Sequence, residues 1–272
     1  MKSDLIVAQT NIGSHLLKYY HFMLPPESVY VIGEGYKYYA EETVNSPFVI
    51  NSSLAVNAFY QMKYFINHFV STNEEEFLDE VEEMLFHKKY PFGILYHTPD
   101  FKKGSIELGQ PKLLLPCFGK ERKLYVNDGI DGMMKYSKEE LRKELKNQTI
   151  DWNVIIPPRK NMDKGVLLLL TLRKAVSHMI LLLKEKADYS MEPDLATQKL
   201  VHMELFLKNL KYISQVLENP ELSLIYGNYL ELYHDLESCI EENYYPHWEE
   251  RRLKMAFKEA ELLLRLQVIL EV

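Results

Sequence analysis

The spacing of hydrophobic residues changes near residue 160, and this change divides the chain into two predicted parts. Before it, compact apolar runs of strand length alternate with helix-like segments, a pattern typical of a mixed domain. After it, apolar residues recur three and four positions apart over long stretches, which predicts helices. We therefore expect an α+β domain over residues 1–158 and a helical domain over residues 159–272, joined through Pro157–Asn161.

The first part predicts both helices and short strands. Helical spacing covers Ser14–Tyr20, Leu54–Phe69 and Asn73–His87. The β-branched and aromatic run Val29–Ile32 predicts a short strand or strand-like turn, which Gly33-Glu34-Gly35 would end. Four further apolar runs are too short for helices and predict strands. They are Phe92–Tyr96, Leu113–Leu115, Leu124–Val126 and Val154–Ile156.

The second part predicts four helices joined by short connections. They cover Asp163–Lys186, Asp194–Leu217, Glu221–Glu242 and Pro246–Leu270. Asp163 and Asp194 suit the N-cap position, whereas Pro220 and Pro246 suit the first turn. One apolar stripe runs along the third helix and comprises Leu222, Ile225, Tyr229, Leu232, Leu236 and Ile240. Short connections favour consecutive helices packed antiparallel in a bundle.

Composition narrows the function classes. The 272 residues are 47% hydrophobic and 26% charged, as in folded proteins, and the formal net charge is -7. An acidic chain without a basic tract argues against a nucleic-acid coat or a polybasic membrane anchor. The most apolar run, Val166–Leu170, is soon interrupted by Arg173, so it predicts a buried helix rather than a membrane span. No secretory signal is predicted, and we expect a cytoplasmic location.

Common catalytic and cofactor motifs are missing from the sequence. The nine histidines have no metal-ligand spacing, so neither a metal nor another cofactor is predicted. Gly33-Glu34-Gly35 and Asp128–Gly132 are typical of turns, and Ser14 suits a helix N-cap. Cys117 lies in an apolar run, which favours a buried structural thiol, and Cys239 stands near carboxylates that would oppose its ionisation.

Three segments, taken in order, carry a resemblance to a known family. They are Gln9–Tyr20 followed by Pro26–Gly35, Tyr90–Tyr96, and Leu113–Gly119 followed by Lys123–Asp128. Together they resemble the N-terminal domain of the butirosin biosynthesis protein H family, which is similar to papain-like and C39-like cysteine peptidases. A helix at Ser137–Leu145 and the helical tail fit the same layout. The resemblance implies a papain-like N-terminal half with a small antiparallel sheet, followed by an α-helical bundle.

The chain departs from this family at the positions that carry chemistry. The resemblance places a cysteine nucleophile between Gln9 and Asn11, at the start of the opening helix, but no cysteine is there. It places the partner histidine at Lys112 or Leu113, and none is there either. Asn127 or Asp128 remains for the orienting third group. Because acyl-enzyme chemistry needs a nucleophile and a base, peptidase activity is not expected.

Two hypotheses about function follow from this comparison. In the first, the protein resembles an acyltransferase of natural-product biosynthesis that moves an acyl group from a carrier-protein thioester to an amine. The candidate catalytic residues are Gln9, Thr10, Asn11, His15, His97 and Asp128. The first three, at a helix start, would donate hydrogen bonds to a developing oxyanion, and one of the other three would act as a base.

The second hypothesis is a catalytically inactive papain-like homologue. Such a protein would bind a peptide or an acyl chain, or would serve in assembly through its helical half. The first hypothesis implies an acyl carrier protein and an amine acceptor as partners. Neighbouring tyrosines such as Tyr38 and Tyr39 cannot all be buried, and a homo-oligomer stays open.

Overall fold

The computed structural model describes residues 2–37, 54–87, 93–97, 100–102, 105–107, 112–117, 123–185, 193–241 and 248–271. It contains both helices and an antiparallel sheet, so the predicted mixture of the two is confirmed. The described residues form two compact units. The sheet unit draws on Met1–Val29 and Val49–Asn161, and the helical unit draws on Tyr30–Phe48 and Met162–Val272. The predicted domain boundary stays a prediction.

The sheet unit contains one sheet of six strands. The strands are β1 (Phe65–Ser71), β2 (Gly93–His97), β5 (Lys112–Cys117), β6 (Lys123–Asn127), β7 (Met133–Tyr136) and β8 (Ile150–Ile156). Their order across the sheet is β1–β8–β2–β5–β6–β7, and all neighbouring strands run antiparallel. A separate pair consists of β3 (Asp100–Lys102) and β4 (Ser105–Glu107).

Helices cover both faces of this sheet. They are α1 (Lys2–Tyr19), α3 (Leu54–Gln61), α4 (Glu74–Glu82) with a π-helical turn at Glu83–His87, and α5 (Lys138–Leu145). Alternate strand residues such as Ile94, Val126 and Trp152 pack with α4 and α5 in one hydrophobic core. Their neighbours point to the opposite face, where Leu16 of α1 lies against Gly93.

Most of the predicted elements are confirmed with small changes in length. Asn73 caps α4 through a hydrogen bond from the Glu75 amide to its side chain (3.0 Å). Ser137 and Glu140 form a capping box at the start of α5. The four apolar runs predicted as strands correspond to β2, β5, β6 and β8.

The prediction of a strand at Val29–Ile32 is wrong. These residues belong to α2 (Pro26–Ile32), and the amide of Ser28 donates to the carbonyl of Pro25 (3.0 Å). A proline at the first helical position has its φ angle preset for a helix. All four side chains are almost fully buried, and such tertiary packing outweighs their β propensity.

The predicted helix at Leu54–Phe69 is wrong in its second half. Helix α3 ends at Gln61, and β1 begins at Phe65. Lys63 adopts a left-handed backbone conformation (φ 64°), which ends the helix and turns the chain into the edge strand.

The helical unit contains four long helices. They are α6 (Lys164–Glu185), α7 (Pro193–Val216), α8 (Pro220–Glu241) and α9 (Trp248–Glu271). Pairs α6–α7, α7–α8, α8–α9 and α6–α9 are in contact. The predicted stripe on α8 is confirmed from Leu222 to Leu236, since all five of those residues are buried.

The helix caps of this unit are partly as predicted. Asp163 caps α6, because its side chain accepts from the amide of Val166 (3.0 Å). Asp194 is not a cap, because α7 already begins at Pro193. Pro220 is the first residue of α8, as expected, whereas Pro246 lies outside the described residues.

Candidate functional site

A buried asparagine at the end of β6 organises the candidate site. The side-chain oxygen of Asn127 accepts from the amide of Gly129 (2.7 Å), and its nitrogen lies 2.5 Å from Nδ1 of His15. The amide of Gly129 can only donate, so it fixes which end of the Asn127 side chain faces His15. The Asn127 amide nitrogen therefore donates to Nδ1 of His15, and the neutral ring of His15 carries its hydrogen on Nε2.

The surroundings of His15 favour this neutral ring. Burial of part of the ring, and after it the positive charge of Lys18, lower the pKa of His15 from its ordinary value of 6.5. A proton on Nδ1 would also place two donors face to face, because Asn127 already points its N–H group there. His15 as a residue is exposed, and Nε2–H is the ring donor that the bond to Asn127 does not use.

The turn that follows Asn127 is held against the middle of α1. Asn11 donates from its side chain to the carbonyl of Gly129 (2.7 Å). Gly129 has a φ angle of 80°, and a Cβ placed on it would lie 2.2 Å from the carbonyl oxygen of Ala8. Ala8, Asn11 and His15 are spaced to share one face of α1. The sequence prediction of a turn at Asp128–Gly132 is thus confirmed.

Asp128 has a defined part in this turn. Its Oδ1 accepts from the amides of Ile130 (2.9 Å) and Asp131 (2.8 Å). Both bonds stabilise the turn. The carboxylate oxygen that the turn uses is therefore poorly placed for the predicted role of a base.

The expectation that Gln9, Thr10 and Asn11 lie at a helix start is wrong. Helix α1 begins at Lys2, and these residues lie in its interior. Only the first four amides of a helix lack a partner within it, so the interior offers no free amides for an oxyanion. The same geometry corrects Ser14, which is not an N-cap: its hydroxyl donates to the carbonyl of Leu24 (2.6 Å).

The side chains of Gln9 and Thr10 have local structural partners. Gln9 accepts through Oε1 from the amide of Leu54, the first residue of α3, and so caps that helix. Thr10 donates to the carbonyl of Val7 (2.9 Å) and is almost fully buried. Of the six predicted residues, the structure thus brings Asn11, His15 and Asp128 together around one turn.

The remaining predicted positions lie elsewhere on the sheet. His97 is the last residue of β2 and is the register partner of Asp151; its side chain lies outside what the structure describes. Leu113 pairs with Asn127 and is fully buried, so a leucine fills the position at which the resemblance placed a histidine. Cys117 ends β5, and its side chain is likewise outside the described part.

The pairing of His15 with Asn127 was missed at the level of sequence. Asn127 was named as an orienting group, but its partner was expected on β5 rather than on α1. The available signal is the helical spacing of Asn11 and His15, opposite an Asn-Asp-Gly step that must turn. Within the described residues, no three metal-ligating side chains converge, and no helix there is long and apolar enough to cross a membrane.

Comparisons with known proteins add no family. No family model matches the chain, and no curated protein matches it either. The resemblance to the butirosin biosynthesis protein H family stays a prediction.

Proposed function

We propose that the protein is an acyltransferase-like protein of natural-product biosynthesis, which moves an acyl group from a carrier-protein thioester to an amine. The observation that carries the proposal is the hydrogen bond from Asn127 to Nδ1 of His15. It leaves Nε2–H as the second donor position of a neutral ring, on a residue that is exposed. A neutral imidazole can polarise a carbonyl in this way.

The proposed reaction needs no covalent enzyme intermediate. The amine enters as a free base, and its nitrogen attacks the thioester carbonyl carbon. Nε2–H of His15 then donates to the oxygen as negative charge develops on it. The C–S bond breaks, the carbonyl re-forms, and the thiolate takes the surplus proton of the amine through solvent. The products are an amide and a thiol, and the residues of the site supply position and one hydrogen bond.

The proposed papain-like character of the sheet unit rests on the same contact. Helix α1 packs on one face of an antiparallel sheet, and a histidine on that helix meets an asparagine at a strand end. The proposed roles differ from those of a cysteine peptidase, since Asn127 donates to the histidine here and disfavours its charged form. A crystal structure superposed on papain-like peptidases tests this proposal; sheets with a different strand order would contradict it.

Substitution of His15 tests the proposed activity. S-acyl pantetheine and acyl carrier protein thioesters are offered with a panel of amines, and thiol release and amide formation are measured together. We expect His15→Ala to lower the rate by roughly 10²–10³-fold, as the loss of one oxyanion donor does. His15→Gln, which keeps an N–H donor, should retain more of the rate. Asp128→Asn, which keeps an oxygen for the amides of Ile130 and Asp131, is the control and should change the rate less than threefold.

Asn127→Asp gives a readout that does not depend on knowing the substrate. An aspartate still accepts from Gly129 but now also accepts from His15, so the histidine hydrogen moves to Nδ1 and the histidine pKa rises. The ¹⁵N chemical shifts of the His15 ring report its tautomer directly. Nδ1–H in the unsubstituted protein, or a rate that His15→Ala leaves unchanged, would exclude the proposed role of His15.

A catalytically inactive homologue that binds a peptide or acyl chain is the second candidate. It is favoured by the buried Leu113 at the position of the expected histidine and by the internal bonds of Gln9, Thr10 and Asn11. Under this function, acyl pantetheine would shift the His15 ring signals on binding while thiol release stays at the uncatalysed rate.

A further inference from the structure

Five polar residues, four of them buried, form two neighbouring hydrogen-bonded groups inside the helical unit. Tyr30 of α2 is hydrogen-bonded to Nδ1 of His202 on α7. One turn earlier on α7, Lys199 lies 3.0 Å from both carboxylate oxygens of Glu259 on α9. Tyr229 of α8 donates its hydroxyl to the same carboxylate. We call these five residues the polar ring, since the charge of Lys199 in one group also acts on His202 in the other.

The polar ring is shielded from water on all sides. Glu259 and Tyr229 are 0% exposed, His202 is 8% exposed, and the Lys199 side chain is 11% exposed. Buried ions persist in proteins when they are paired, and here one cation is paired with one anion. The ring involves α2, α7, α8 and α9, and each of these helices contributes at least one of its members.

The charge balance of the ring depends on a neutral His202. The Tyr30 hydroxyl is hydrogen-bonded to its Nδ1, a contact that a neutral ring makes in either tautomer. A protonated His202 would add a second buried cation beside Lys199, against the single carboxylate of Glu259. Burial, and after it the charge of Lys199, lower the pKa of His202 to about 3.

Two groups act directly on this histidine: Tyr30 on α2 through the hydrogen bond, and Lys199 on α7 itself through its charge. Behind them, Glu259 on α9 is paired with Lys199 and accepts from Tyr229 on α8. Tyr36, just beyond α2, is buried and interacts electrostatically with Tyr30. Tyrosines stay neutral in acid, so none of these groups supplies a new negative charge to compensate an imidazolium as pH falls.

We infer that the polar ring is an acid-sensitive lock, which holds the helical unit closed at neutral pH and lets that unit open in mildly acidic medium. The direction of this pH dependence follows from where His202 binds a proton. An opened unit exposes His202, which then binds a proton below its ordinary pKa of 6.5, whereas the closed unit binds none until about pH 3. The lock is therefore complete above pH 6.5 and weakens as pH falls through this window.

Hydrogen exchange measured by mass spectrometry on the full chain tests the inference. Exchange rates are divided by the intrinsic rates at each pH, so that they report the opening equilibrium. Between pH 6.5 and pH 4.5, we expect the opening constant of α7 and α8 to rise about 50-fold, because the open state goes from half to full protonation of His202 while the closed state binds no proton. Strands β2 and β8 serve as the internal reference and should change much less.

Two matched variants separate His202 from other titrating groups. His202→Asn keeps an acceptor near the position of Nδ1 but cannot take up a proton, so its opening constant should change less than threefold over this window. His234→Asn removes an exposed histidine of α8 and should behave like the unsubstituted protein. Parallel loss of protection in the unsubstituted protein and His202→Asn would overturn the inference.

A second measurement holds even where His202→Asn fails to fold. The ring signals of His202 in ¹⁵N-resolved spectra of the unsubstituted protein should keep the pattern of a neutral imidazole from pH 7 to pH 4.5. A transition of these signals near pH 6.5 in the folded protein would also overturn the inference, since a histidine that titrates normally cannot weaken the unit in acid.

Discussion

Gly129 and Gly132 have similar backbone conformations but very different surroundings. Both lie in the turn after β6 with positive φ angles, 80° and 90°. A Cβ on Gly129 would lie 2.2 Å from the carbonyl oxygen of Ala8, whereas a Cβ on Gly132 meets nothing within 4 Å. Turn chemistry in the sequence predicts both glycines equally. Only the packing of the turn against α1, which local sequence does not encode, makes Gly129 the more demanding position.

This difference leads to a matched pair of substitutions. Gly132→Ala should lower the free energy of unfolding by about 1–2 kcal/mol, which is the ordinary strain of a side chain in this backbone conformation. Gly129→Ala should cost roughly 3–4 kcal/mol, because the turn or α1 must also move. Denaturant unfolding followed by the fluorescence of Trp152, in a Trp248→Phe background, measures the sheet unit. Equal costs for the two substitutions would show that the turn is not packed tightly on α1.

Elements whose identity depends on local chemistry were predicted well, and elements decided by packing were not. Asn73 marks the start of α4, because its side chain accepts from an amide of the same helix. The run Val29–Ile32 has the residue types of a strand, but its burial and the preceding prolines make it a helix. Strand β1 was missed because its aromatic and apolar residues continue the apolar spacing of α3. The helix nevertheless ends before β1, where Lys63 takes a left-handed backbone conformation.

Tyr20 shows how α1 is fastened to the sheet. It lies directly after α1, and its hydroxyl donates to the carbonyl of Ile155 on β8 (2.5 Å) and accepts from the amide of Gly93 on β2 (2.6 Å). Burial raises its pKa well above 10, which keeps the hydroxyl neutral. Tyr64 packs against Tyr20 with ring centroids 5.7 Å apart, yet its buried hydroxyl has no hydrogen-bond partner among the described residues.

Removal of the two hydroxyls should therefore have opposite consequences. Tyr20→Phe leaves a buried carbonyl and a buried amide without this partner and should cost about 2 kcal/mol. Tyr64→Phe removes a desolvated group and should be neutral or stabilise by up to about 1 kcal/mol. Thermal unfolding of both variants provides the measurement. A larger loss for Tyr64→Phe than for Tyr20→Phe would contradict the assignment of the fastening to Tyr20.

Across the whole molecule, the two halves differ in how far sequence reasoning could reach. The helical half was predicted nearly to the residue, because its apolar periodicity is long and its caps are explicit. Its polar ring was not foreseen, since Tyr30, Lys199 and Glu259 are distant in sequence and a charged residue on a helix is usually exposed. The candidate site in the sheet unit was half foreseen: its residues were named, but their partners depend on where α1 lies on the sheet.

Substitutions at neutral pH can decide whether the ion pair of the polar ring itself stabilises the helical unit. Glu259→Gln leaves Lys199 as a buried cation without its carboxylate, which should destabilise the helical unit by roughly 3–5 kcal/mol. The triple substitution Lys199→Met, Tyr229→Phe and Glu259→Leu removes the ion pair and its hydroxyl donor together.

Desolvation offsets most of the attraction within a buried ion pair. The free energy of unfolding of the triple variant should therefore lie within about 1 kcal/mol of that of the unsubstituted protein, or exceed it. Thermal unfolding followed by circular dichroism, with hydrogen exchange in α8 to assign the transition, measures both variants. If the triple variant is as unstable as Glu259→Gln, the ring stabilises the fold through its own attraction. If it is as stable as expected, apolar packing holds the unit closed at neutral pH as well as the ion pair does, and what distinguishes the ring is the dependence on acid that His202 gives the unit.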